Sequence, residues 1–98
     1  DLEAVGKVCD GAILCCYFME PDAVSALMRQ GREALGPDKY LGAGYRVFYP
    51  EVTSAEELAA RSAAAIEAAA DGINFYNYGL IPEKRLDWVR KAVDSLPA

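Results

Sequence analysis

The chain of 98 residues contains no histidine. A Ser-His-Asp or Cys-His catalytic set within one chain is therefore impossible, and so is any His-ligated zinc. Cysteine is scarce: Cys9, Cys15 and Cys16 are odd in number and two are adjacent, which does not make a disulfide framework. Buried, reduced thiols are the expectation. Basic charge is also in short supply. Ten Lys and Arg stand against fifteen Asp and Glu, giving a net charge of −5. With no basic cluster to neutralise phosphates, neither nucleic acid nor an anionic membrane surface is an expected partner. No run approaches the roughly 20 uncharged apolar residues of a membrane span. The start, Asp1-Leu2-Glu3, has the wrong charge for a signal peptide, so a cytoplasmic location is expected. The absence of an initiator Met reads as a trimmed or excerpted chain.

What is present is apolar: 53% of residues, enough to set disorder aside and to build one small domain over residues 1–98. Three short segments read as buried strands: Ala12 to Phe18, Tyr40 to Phe48, and Ile73 to Tyr78. Helical patterns alternate with them. Val24, Leu27, Met28, Gly31 and Leu35 share one helix face after Pro21, and Gly36-Pro37 ends that helix. Ser54-Ala55-Glu56-Glu57 is a capping box opening a second helix, with Leu58, Ser62, Ala65, Ile66 and Ala69 as its inner stripe. A third follows Pro82 with Leu86, Val89, Val93 and Leu96 on one side, and Leu2, Val5 and Val8 suggest a helix before the first strand.

The strands start near residues 11, 40 and 72, about one βαβ repeat apart. Asp10-Gly11 and Asp71-Gly72 recur at helix-to-strand junctions, where glycine is expected to take the left-handed turn and the Asp side chain to tie the backbone. The fold class is thus α/β: three consecutive βα units with parallel strands, a partial (β/α)8 barrel. Three strands cannot close such a barrel, so completion by self-association into a homo-oligomer is expected if the chain stands alone; otherwise it belongs to a larger protein.

In parallel α/β proteins, ligands bind beyond the carboxyl ends of the strands. That selects the loops Tyr17 to Pro21, Tyr45 to Glu51 and Tyr76 to Leu80. They hold Tyr17, Tyr45, Tyr49, Tyr76 and Tyr78, five of the six tyrosines. A flat apolar ring carrying a hydroxyl suits sugar rings and other small polar ligands. Glu20 and Glu51 are the candidate acid/base pair for hydrolysis. Alternatively, Glu20 complements the dipole of the helix it precedes and Glu51 is a solvated loop acid. Arg46 is a candidate for a ligand carboxylate or phosphate, or for a salt bridge to a neighbouring acid. Asn74 and Asn77 complete the candidate binding set; Asn74, on the strand face shared with Tyr76 and Tyr78, is either a ligand contact or part of an internal hydrogen-bond network. Cys15 and Cys16 project to opposite faces, chiefly as packing. No cofactor or metal is expected.

The stretches Ala70-Asp71-Gly72-Ile73-Asn74-Phe75-Tyr76-Asn77-Tyr78-Gly79-Leu80 with Arg85-Leu86-Asp87-Trp88-Val89, and Val47-Phe48-Tyr49-Pro50-Glu51, resemble the closing part of glycoside-hydrolase-like TIM barrels of alanine-rich bacterial proteins. The resemblance implies a barrel whose aromatic mouth handles carbohydrate-like or other small polar substrates. The expected function is a hydrolase with carboxylate acid/base chemistry. The alternatives are a non-catalytic oligomerising or ligand-binding module, and a promiscuous thiol-dependent hydrolase.

Overall fold

A computed structural model describes residues 1–47 and 51–97. The elements are α1 (Leu2–Val8), β1 (Gly11–Cys15), α2 (Pro21–Leu35), β2 (Tyr40–Arg46), α3 (Ala55–Glu67), β3 (Gly72–Tyr76) and α4 (Glu83–Asp94). The three strands form one parallel sheet in the order β1-β2-β3. The expected alternation of strand and helix therefore stands. Among the described residues, nothing pairs with the outer edge of β1 or of β3.

The helices start and stop where local chemistry directs. Pro21 occupies the first turn of α2 with no backbone N–H to waste, and Gly36 ends that helix with φ +89°, a left-handed conformation that glycine adopts freely. Ser54 caps α3 by accepting the Glu57 N–H at 3.1 Å. Glu57 reaches back one residue further than a capping box requires, taking the Thr53 N–H and hydroxyl at 3.2 and 2.8 Å.

All the described helices contribute to one side of the sheet. Val24, Met28 and Leu35 of α2, Leu58 and Ala65 of α3, and Ala92 of α4 pack against Leu41, Ala43, Tyr45 and Val47 of the β2 segment. Leu2 of α1 packs against the same cluster. On α4, Ala92 is fully buried and the expected Val93 is 51% exposed, because that helix turns its small residue to the core. On the chain beyond α3, Ala69 is exposed and left-handed, φ +81°.

The expected left-handed glycines at the two Asp-Gly junctions are not found; the left-handed residue after α3 is Ala69. Gly11 and Gly72 are required for space instead. A Cβ on Gly11 would lie 2.4 Å from the carbonyl oxygen of Tyr40, and one on Gly72 would lie 2.4 Å from the Tyr40 hydroxyl. Tyr40 lies over the sheet face left uncovered among the described residues, across Gly42 and Gly72. That face also presents Ile13, Cys15, Asn74 and Tyr76 to solvent.

At the amino ends of the strands, Arg32 of α2 binds four acceptors: the carbonyls of Gly36, Lys39 and Ala69, and the Asp71 carboxylate at 2.6 Å. Lys39 adds a bond to the Cys9 carbonyl at 2.9 Å. Two grooves of about 400 and 360 Å³ lie toward this same end. One runs beside β3 between Ile66, Ile73 and Val93; the other lies beside Gly11, Ile13 and Tyr40.

Among the described residues, no helix is long and apolar enough to cross a membrane.

Candidate ligand-binding rim

Parallel pairing places the carboxyl ends of the strands side by side. Cys15, Gly44 and Asn74 form one row across the sheet, and Arg46 stands opposite Tyr76 in the next. Strand alternation sends Arg46 and Tyr76 to the uncovered face. There the Arg46 guanidinium lies over the ring of Tyr17, 4.2 Å from its centroid, and 5.7 Å from that of Phe18. This separation is within the range of cation–π attraction. Phe18 is 63% exposed and holds φ +56°, unusual for a bulky side chain.

Glu51 fixes the other edge of Arg46. Its Oε1 accepts from Nε at 3.0 Å and from Nη2 at 2.6 Å, while Oε2 accepts the Arg46 backbone N–H at 3.3 Å. The carboxylate is 2% exposed and the arginine side chain 32%. Of the two readings open for Arg46, the salt bridge is the one observed, and Glu51 is not a solvated loop acid. The pairing with Glu51 raises the Arg46 pKa above its ordinary value. The Tyr17 hydroxyl is also pushed up, first by its hydrogen bond with the Cys15 side chain and then by burial, with the Arg46 charge opposing.

A second arginine lies beneath this pair. Arg61 of α3 is 4% exposed; its Nη1 donates to the Glu51 carbonyl at 3.2 Å, and its Nη2 pairs with Glu57 at 2.5 Å and with Glu20 at 3.5 Å. Burial pushes the Glu57 carboxyl up, but the Thr53 and Arg61 contacts outweigh it and hold the group below its ordinary range. Arg61 was not among the expected site residues. The available signal was a charge one turn from Leu58 on the inner stripe of an alanine-rich helix, with Glu57 at i−4.

Tyr45 does not join the rim. It precedes Arg46 in the strand, so it faces the helices; it is 1% exposed and its hydroxyl donates to the Arg61 carbonyl at 2.7 Å. Burial raises its pKa well above the ordinary tyrosine value. Glu20 is the N-cap residue of α2, with its side chain largely in solvent. Asn74 and Tyr76 are exposed on the uncovered face, Tyr78 stands out on the following loop, and Asn77 closes a turn by accepting the Gly79 N–H at 3.0 Å. Tyr49 lies outside the described residues.

The expectation of buried thiols holds for Cys16 alone: Cys9 and Cys15 are exposed, and all three are free. Burial pushes the Cys16 thiol up to about 11. Among the described residues, no group of three or more Cys, Asp or Glu is arranged to hold a metal ion.

The rim therefore combines exposed aromatic faces with an arginine whose charge is matched by a buried carboxylate. Such a surface can stack against an apolar ring face and hydrogen-bond to hydroxyl or carbonyl oxygens. Comparison of the chain with protein-family models, curated proteins and solved structures finds no match.

Proposed function

We propose that this chain supplies three consecutive units of a (β/α)8-type barrel and that its strand ends bind a small, neutral, polar ligand of carbohydrate type. The observation that carries this reading is the row Tyr17–Arg46–Tyr76 on the uncovered sheet face, in which the Arg46 guanidinium lies over the Tyr17 ring and exposed Tyr76 is its register partner on β3. Arg46 and Glu51 cancel one another's charge, so this pair offers hydrogen bonding beside the aromatic rings without adding net charge. The uncovered face and the two sheet edges unpaired among the described residues support completion by further strands, with copies of this chain as one source.

NMR titration of the chain with neutral monosaccharides and short oligosaccharides tests the reading. Resonances of Tyr17, Arg46 and Tyr76 should move together, and Tyr76→Ala should weaken binding about tenfold, as expected for loss of a stacking platform. If no saccharide moves these three residues, the ligand reading fails.

A hydrolytic reading rests on Glu20, whose exposed carboxylate touches the same arginine-linked cluster. Glu51 suits acid/base work less well, because Arg46 engages its carboxylate from both Nε and Nη2. On this reading, turnover of chromogenic aryl glycosides disappears in Glu20→Gln. Equal turnover in native and variant chains would reject it.

A further inference from the structure

Resting on the ligand-binding reading above, we infer that Arg61, on the opposite side of the sheet from the ligand, is the positioning residue for Arg46. The connection is continuous in named contacts. Arg61 Nη1 donates to the Glu51 main-chain carbonyl, and the Glu51 carboxylate then holds Arg46 by Nε, Nη2 and the backbone N–H. The Tyr45 hydroxyl donates to the carbonyl of Arg61 and fixes the α3 turn from which that side chain extends. Glu57 fixes the other fork of its guanidinium.

The chemistry explains why arginine is the residue required. The Glu51 carboxylate is buried, and a buried acceptor must be aimed as well as paired. Arginine presents donors in a rigid planar fork, so one arm can take the carbonyl while the other takes a carboxylate. A lysine ammonium at the same position keeps the charge beside Glu57 but lacks the planar geometry that spans both partners. Glu51 is thereby assigned to orientation of the ligand-facing guanidinium, and the plane of Arg46 over Tyr17 follows from a residue that no ligand on the rim would touch.

The test needs no ligand. The Nε–H of Arg46, identified as the ¹H–¹⁵N resonance lost in Arg46→Lys, should exchange slowly with solvent in the native chain. In Arg61→Lys that exchange should accelerate about tenfold, the equivalent of one charge-assisted hydrogen bond, while the Nε–H of Arg32 and the amides of α2 remain unchanged. Unchanged Arg46 exchange in the folded variant would overturn the assignment. So would acceleration spread uniformly over Arg32 and the α2 amides, since that reports general loosening. Should Arg61→Lys not fold, Glu57→Gln decides: it frees one anchor of Arg61 near the surface and should accelerate Arg46 exchange selectively, and no change overturns the inference. A native chain that ignores saccharides yet passes this test loses the ligand reading and keeps the positioning role.

Discussion

Asp71 and Leu41 are bonded to each other twice: the Asp71 N–H donates to the Leu41 carbonyl at 2.7 Å, and the Asp71 carboxylate accepts the Leu41 N–H at 2.9 Å. The pair stands immediately before the Gly42–Gly72 match that begins the β2–β3 ladder. The Leu41 N–H, and after it the Arg32 guanidinium, hold the Asp71 carboxyl below its ordinary range. A carboxyl that releases its proton more readily when folded stabilises the fold fully near neutral pH. That contribution declines as pH falls through the ordinary carboxylate range and vanishes below the folded pKa. Asp71→Asn should therefore lower stability at pH 7, and the difference from the native chain should shrink as pH falls through and below the ordinary carboxylate range. The loss should be about 1 kcal/mol or less, since half the side chain meets solvent. Urea melts of both proteins across pH check this.

The two crowded glycines should respond differently to alanine. At Gly11 the added Cβ meets main chain, the Tyr40 carbonyl, which moves only if β2 moves. At Gly72 it meets the tip of the Tyr40 side chain, and the next atom is 3.4 Å away. Gly11→Ala should cost about 3 kcal/mol and Gly72→Ala about 1 kcal/mol, the upper and lower range for overpacking. Tyr40→Phe removes the clashing oxygen and should make Gly72→Ala nearly neutral, while leaving Gly11→Ala as damaging as before. Chemical denaturation of the double variants provides the comparison.

Arg46 and Glu51 are unequal partners. Removing Arg46 strands a carboxylate that water hardly reaches, whereas removing Glu51 leaves a guanidinium that is one-third exposed. Arg46→Met should thus be the more destabilising single change, and Glu51→Leu in the Arg46→Met background should recover stability. A lower melting temperature for Glu51→Gln than for Arg46→Met would contradict this ordering.

Thiol reactivity should follow the sheet. Cys9 and Cys15 are exposed, whereas Cys16 is buried with its thiol pushed up to about 11. At pH 8 iodoacetamide should label Cys9 and Cys15 in the native chain and reach Cys16 only after unfolding. Peptide mass spectrometry over time resolves the three sites.

The helix limits were legible because they rest on local chemistry: Pro21, Gly36 and the Ser54 cap act within a few residues of themselves. Opposed faces for Cys15 and Cys16 followed from strand alternation alone. The same alternation separates Tyr45 from Arg46; grouping both by loop membership hid it. Gly11 and Gly72 misled because an Asp-Gly pair after a helix suggests backbone conformation, whereas the requirement here comes from Tyr40, distant in sequence. Arg61 escaped notice for a related reason. Its position one turn from Leu58 hints that it points inward, but its partners Glu20 and the Glu51 carbonyl belong to other segments, so its role is not local.

Arg32 gathers acceptors from the end of α2, the entry to β2 and the entry to β3 into one guanidinium. Such a bolt makes the two ends of the molecule unlike in their tolerance for change. The bolted end resists new sequence, because any shift there breaks several bonds at once. Lengthening or exchanging the Tyr78–Leu80 segment at the far end would leave the bolt untouched, so new specificities are most safely engineered there.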